Sequence, residues 1–297
     1  MDVQDGISAE DLAWLQTTAG KFMMKKRGLA GILSYFRKKP SALVQASQSD
    51  FCCLCDLPLS GRIVLGSWGQ RAHSSHSIHF CNSCDRILSP KGSGGAYRYS
   101  DGRNICGFCK KLAVTEGVAA NRSRRRVQEM LEQKGFLGIP KNIKVVLSHA
   151  QGLSAHSRKR NTAGLTLSHY HFSDYKRVGI THQIGILSGL PKIEFEAVLA
   201  HELLHVWQHE NGVKFSPVYC EGLCELGGYL VYSEEKTDLA RHFLEKMFQS
   251  KDPTYGNGFR IMQKKLEKSG WSALIAEILR NKQGLEASVL RKIFPKK

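Results

Sequence analysis

The residues whose types and spacing could do chemistry lie in Val198-Leu-Ala-His201-Glu202-Leu-Leu-His205-Val-Trp207. Histidines four apart on a helix share one side. Two imidazole nitrogens can then hold one zinc ion, with Glu202 beside the open coordination position. The chemistry this implies is hydrolysis. Zinc lowers the pKa of a water, Glu202 takes its proton, and a polarised carbonyl is attacked.

A catalytic zinc usually has three protein ligands. The run Val218-Tyr-Cys-Glu221-Gly-Leu-Cys-Glu225-Leu-Gly-Gly-Tyr-Leu-Val-Tyr232 offers two carboxylates one turn apart in an otherwise apolar helix. Buried carboxylates need partners. Glu221 is the expected ligand, and Glu225 the expected acceptor for the spare ring N–H of a zinc histidine. Spacing alone also allows the reverse. Gly222, Gly227 and Gly228 weaken this helix intrinsically, so their expected use is close helix approach around the metal.

A second set of metal-type residues comes earlier: Cys52-x-x-Cys55, His73-x-x-His76, Cys81-x-x-Cys84 and Cys106-x-x-Cys109. Four pairs make two tetrahedral sites, each closed by four ligands and therefore structural. Taken in order, Cys52, Cys55, His73 and His76 hold one zinc, and Cys81, Cys84, Cys106 and Cys109 the other. His79 is a spare that could replace either histidine, and Cys53 is left over. So short a segment has little core, so its metals are expected to supply much of its folding energy.

The elements that must position these groups can be read from periodicity and turn residues. Pro191 and Asn211-Gly212 bracket the histidine helix, and Ser216-Pro217 opens the glutamate helix. Strands are expected at Ile143–Leu147, Gly164–Tyr170 and Arg177–Leu187, with a loop between the first two. The third leads into the histidine helix, and a strand there can bind substrate main chain by edge pairing. Before them come strands at Arg62–Leu65 and Ala96–Tyr99 and a connecting helix within residues 113–142. After the glutamate helix come helices at Thr237–Phe248, Gly258–Lys268 and Ser272–Asn281, then a short tail helix to Phe294. Asp252–Phe259 reads as a turn-rich link. Its Tyr255 is a candidate donor to a developing oxyanion, the alternative being a tyrosine that serves only the turn.

Residues 1–50 read as a basic helical segment, with one helix from Ser8 to Gly28 and a second at Leu29–Phe36. They lack the apolar h-region of a secretory signal, and no run is long enough to span a bilayer. Seven of the nine cysteines lie in the metal-type region between Cys52 and Cys109, which points to a reducing, cytoplasmic setting. The net charge of +17 is spread along the chain in short clusters such as Arg124-Arg-Arg126. Basic charge alone is a non-specific footprint, so nucleic acid is not favoured as a partner. The expected partners are a protein or peptide substrate and, through the zinc module, another protein.

The cysteine and histidine pattern resembles a LIM domain. It differs in having four residues rather than two between the middle pairs, and His in the place of one Cys. The tandem zinc module followed by Leu199–Trp207, Glu221-Gly-Leu-Cys224 and Asp252-Pro-Thr-Tyr-Gly-Asn-Gly-Phe-Arg260 resembles the LIM-containing zinc peptidases related to plant organ-size regulators, over residues 51–285. That resemblance implies a gluzincin-type endopeptidase, with His201, Glu202, His205 and Glu221 in matching positions. The expected fold is α+β: a LIM-like two-zinc module at 51–112, then a mainly helical metallopeptidase domain at 113–297 with a small antiparallel sheet. Three zinc ions are expected, one catalytic and two structural. Plant members carry acidic ubiquitin-interacting motifs. The N-terminal segment here is basic, so ubiquitin dependence does not carry over. The competing expectations are an interaction scaffold with a latent or inactive peptidase domain and a nucleic-acid-binding zinc protein.

Overall fold

The computed structural model describes residues 42–45, 51–156, 163–173 and 176–293. The two helices expected before Pro40 lie outside these residues. The chain divides into two compact units, Met1–Leu112 and Ala113–Lys297.

In the first unit, β1 (Ala42–Gln45), β2 (Arg62–Leu65) and β3 (Arg71–His73) form an antiparallel sheet. Residues 42–45 were expected within a helical segment. They instead extend β2, with Leu43 opposite Val64, because four residues paired along a free edge satisfy their backbone without a helix nucleus. β4 (Ala96–Arg98) and β5 (Asn104–Cys106) form a hairpin, and the short helix α1 (Gly107–Lys111) follows. The apolar cluster is small, built on Cys52, Leu59, Ile63, Ala72 and Ile87.

The second unit opens with α2 (Gly117–Lys134), which Gly135 ends in the left-handed conformation at φ 104°. β6 (Lys144–Ser148), α3 (Ala150–His156), β7 (Gly164–Ser173) and β8 (Lys176–Leu187) follow. The sheet order is β6-β8-β7. β7 and β8 are antiparallel, but β6 runs parallel to β8. The sheet is therefore mixed, not antiparallel as expected. The chain turns back through α3, in the stretch read as loop, and enters β7 two strand positions from β6; β8 then fills the gap and inherits the direction of β6.

α4 (Lys192–Asn211) carries the histidines, with Pro191 at its N-cap and Gly212 at its left-handed C-cap. α5 (Pro217–Glu234) carries the glutamates, and α6 (Asp238–Gln249) follows. α7 (Tyr255–Ile293) breaks at Gly270, where φ is 75° and ψ 171°. It begins inside the stretch read as a turn-rich link. The Asp252 carboxylate accepts from the Thr254 and Tyr255 N–H groups at 2.8 and 2.7 Å, which caps a helix start rather than a turn. Among the described residues, no helix is long and apolar enough to cross a membrane.

α4 is buried on most sides, with Phe195, Leu199, Leu203, Val206 and Trp207 in the core. Phe136 meets Trp207 edge-on at 5.1 Å between centroids. One acid is buried in this helix away from the histidines. Glu196 accepts from Ser123 Oγ at 2.9 Å and pairs with Arg126, which also reaches Glu235 at 2.8 Å. That network answers the desolvation of a buried charge and ties α2 to α4 and α5.

Glycines set the helix separations. A Cβ on Gly227 would stand 2.9 Å from the Ala200 carbonyl, so α5 lies against α4 without side-chain spacing. Gly222 and Gly258 bring α5 against α7 in the same way: a Cβ on either would overlap the other helix's backbone.

Two outcomes follow. Gly258→Ala forces those backbones apart and should cost about 1–3 kcal/mol or more, as overpacking does; an unchanged Tm would contradict the crossing. Burial pushes the Glu267 carboxyl up to about 7. A raised acid pKa contributes stability that is fully present below the ordinary carboxyl value and lost as pH rises through about 7. Glu267→Gln should therefore melt higher than wild type at pH 8, with the gap closing by pH 5. A gap independent of pH would refute this.

Candidate metal centre

In the first unit, the donor atoms of Cys52, Cys55, His73 and His76 lie within 4.8 Å of one another, as do those of Cys81, Cys84, Cys106 and Cys109. His79 is exposed and outside both groups. The four-cysteine group is almost wholly buried, with all thiols free. Cys84 and Cys106 sulfurs stand 3.6 Å apart, near the ~3.8 Å edge of a tetrahedron with zinc–sulfur bonds of about 2.3 Å. In the other group, His73 Nδ1 lies 3.5 Å from Cys55 Sγ while its Nε2 faces Pro58 O at 3.1 Å. His76 Nε2 is buried with no hydrogen-bond partner. An orphaned ring nitrogen beside two thiols fits a cation. Burial raises the Cys52 thiol, but the backbone N–H groups of His73, Leu54 and Cys55 outweigh it and bring the thiol down to about 6, close to the thiolate a metal needs.

In the second unit, α4 and α5 bring together the residues singled out from spacing. Glu221 Oε2 lies 3.2 Å from His201 Nε2 and 3.5 Å from His205 Nε2. Three donors on a tetrahedron with bonds of roughly 2.0–2.1 Å stand about 3.3 Å apart. The same oxygen is buried and accepts no well-aligned hydrogen bond, although two ring nitrogens are near. That geometry fits a cation between the three groups better than direct N–H···O bonding.

The outer nitrogens differ. His201 Nδ1 faces Glu225 Oε1 at 3.1 Å, the place expected for that glutamate. His205 Nδ1 faces Gln208 Oε1 at 3.2 Å and the thiols of Cys224 and Cys220 at 3.4 and 4.0 Å. Neither Gln208 nor the cysteines were anticipated, though all three sit within a helical turn of a named residue. Cys224 also forms a possible donor group with His201 and His205. Its contact is with the outer nitrogen of His205, and burial pushes its thiol up. Glu221 Oε2, by contrast, faces the Nε2 atoms of both histidines. Burial alone would raise its carboxyl, but the two imidazoles hold it well below the usual carboxylate range. Burial likewise opposes charge on His201, yet Glu221 and Glu225 raise its pKa well above the ordinary value.

Glu202 is buried, at 6% exposure. β7 runs beside it. Thr166 Oγ1 lies 2.7 Å from Glu202 Oε2, and a Cβ on Gly164 would stand 2.6 Å from Oε1. Sequence reading recognised the strand but not these two residues. The signal was present in Gly164-Leu-Thr-Leu-Ser168, whose even positions are small or polar.

A model of the DA1-like family, described as Protein DA1, matches residues 119–235. Two Arabidopsis thaliana proteins are similar. Protein DA1-related 2 is 25% identical, over 57% of this chain and 38% of its own length. Protein DA1 is 22% identical, over 68% of this chain and 49% of its own. The chain is thus similar to Protein DA1. It spans about half the length of these relatives or less. No solved structure matches.

The DA1-like segment contains His201, Glu202, His205, Glu221 and Glu225, and it ends before Tyr255. Tyr255 nevertheless reaches the same place. Its ring stacks on His201 with centroids 6.1 Å apart and planes 28° apart. One helical turn beyond His205, His209 Nδ1 meets the Tyr170 hydroxyl at 2.6 Å. His182 is held between Ser168 Oγ at 2.8 Å and Glu210 Oε1 at 3.1 Å.

Elemental analysis should find three metal ions per chain, two in cysteine and histidine groups and one between the helices. Glu221→Ala should lose one ion and Cys224→Ser none. The opposite pattern would make the thiol the third donor.

Proposed function

We propose that this chain is a zinc-dependent endopeptidase that hydrolyses peptide bonds in protein substrates, with Glu202 as general base. The observation that carries the reading is one carboxylate oxygen shared by two imidazole Nε2 atoms, one residue from a buried glutamate. His201, His205 and Glu221 would hold the catalytic zinc, with Glu225 orienting His201. When bound, that ion supplies Lewis acidity, which lowers the pKa of a water and polarises the scissile carbonyl. Cys52, Cys55, His73 and His76 would hold one structural zinc, and Cys81, Cys84, Cys106 and Cys109 the other.

The remaining steps belong to the protein's own groups. Glu202 accepts the proton of the attacking water and returns it to the leaving amine. Tyr255, stacked on His201 at the start of α7, donates to the anionic oxygen as it forms. Among the described residues β7 stands at the edge of its sheet, where an extended substrate can pair along its outer side. The gluzincin-type assignment rests on this donor set. Nine free cysteines suit a reducing, cytoplasmic setting. The zinc unit is the candidate surface for a further protein partner.

Glu202→Gln should keep its metal and lose roughly 10²- to 10⁴-fold in the rate of cleaving an unfolded protein. Wild-type cleavage by a clean, fully loaded Glu202→Gln preparation would sink the proposal. A loaded wild type that cleaves no unfolded protein would leave an interaction scaffold.

A further inference from the structure

Thr166 touches Glu202 twice. Its Oγ1 lies 2.7 Å from Oε2 and 3.1 Å from the backbone carbonyl oxygen of the same residue. A hydroxyl has one proton to give, and the nearer, charged acceptor takes it. The donor is itself held firmly. Threonine is β-branched and stiff at χ1, and its cross-strand neighbour is the fully buried Ile184. Two residues earlier on the same strand face, Gly164 admits the carboxylate: an added Cβ would stand 2.6 Å from Oε1 and 2.9 Å from Cγ. Neither contact is needed to fold a strand. The same Cβ would also stand 2.6 Å from Val198 Cγ1, so the contact particular to a glutamate at position 202 is the one between Thr166 Oγ1 and Oε2.

We propose that Thr166 is a positioning residue for Glu202. Its hydroxyl occupies Oε2 and fixes the carboxylate plane, which leaves Oε1 as the oxygen that takes the proton. The inference rests on the reading of Glu202 as general base. It adds that the base is aimed from the edge strand and not by its own helix.

The test compares Thr166→Ser, which keeps the hydroxyl, with Thr166→Val, which keeps the shape, in the full zinc-loaded chain. Two readouts are needed: kcat and KM on an unfolded protein substrate, and crystal structures that place the Glu202 carboxylate. Thr166→Val should lower kcat roughly 10- to 100-fold, as loss of a hydrogen bond to a charged group does, with KM and bound zinc unchanged. Its carboxylate should rotate off the wild-type plane. Thr166→Ser should stay within about threefold of wild type in kcat and keep that plane. If valine does not fold at this position, Thr166→Ala carries the same comparison. A valine variant with unchanged kcat and an unrotated carboxylate overturns the proposal, as does a serine variant as impaired as the valine. A wild type that cleaves nothing, with the carboxylate rotated only where the hydroxyl is missing, overturns the peptidase reading and leaves the positioning contact standing.

Discussion

The second unit is organised by one requirement: a carboxylate oxygen must meet two imidazole nitrogens at little more than 3 Å, from a different helix. Glu221 Oε2 does this at 3.2 and 3.5 Å. Side chains of that length reach only if the helix axes are unusually close. α5 therefore carries no side chain where it crosses its neighbours. Gly227 lies against Ala200 of α4, and Gly222 against Gly258 of α7. Each glycine in a helix interior costs about 1 kcal/mol relative to alanine. The helix offsets this through burial of Leu223, Leu226, Leu230 and Val231. The sequence therefore holds weak helix formers inside a helix because their absence of bulk is needed.

Charge is the other half of the constraint. Glu221 and Glu225 face the two imidazoles. Partly buried carboxylates are costly unless positive charge balances them. Protonated imidazoles supply it in the absence of a cation, as the raised pKa of His201 and the lowered one of Glu221 describe. A divalent cation would take over that role and leave the rings neutral. The outer partners are unequal. A carboxylate backs His201, whereas His205 is backed by an amide and thiols, and the pKa of both imidazoles is raised above the ordinary value.

Local rules made part of this legible. The i,i+4 spacings of His201 with His205 and of Glu221 with Glu225 survive any error in helix boundaries, because they depend only on the period. The glycine stops at Gly135 and Gly212 are where the left-handed caps fall. What escaped the sequence was non-local. The parallel pairing of β6 with β8 depends on which strand fills the central position, and no residue within β6 encodes that. Cys224 and Gln208 gain meaning only once α4 and α5 are packed. Tyr255 was placed on a turn because Pro253 and Gly256 punctuate the stretch. The Asp252 carboxylate overrides that signal by capping the helix from outside it.

β7 shows why a correct period can still mislead. Gly164-Leu-Thr-Leu-Ser168 alternates cleanly, and alternation is ordinarily read as an apolar face inward and a polar face to water. Here Thr166 and the space over Gly164 face a buried carboxylate on α4, while Leu165 packs against the apolar core, so the polar row has a buried partner as well as the apolar one. A strand opposite a buried carboxylate has to present a donor and room for it. The same geometry gives the strand a further property. Its alternate side chains grip the helix while its backbone N–H and C=O groups point sideways, with β8 taking one edge. Anything that pairs along the other edge is then held in register with Glu202 through a single rigid element, in steps of about 3.3 Å per residue.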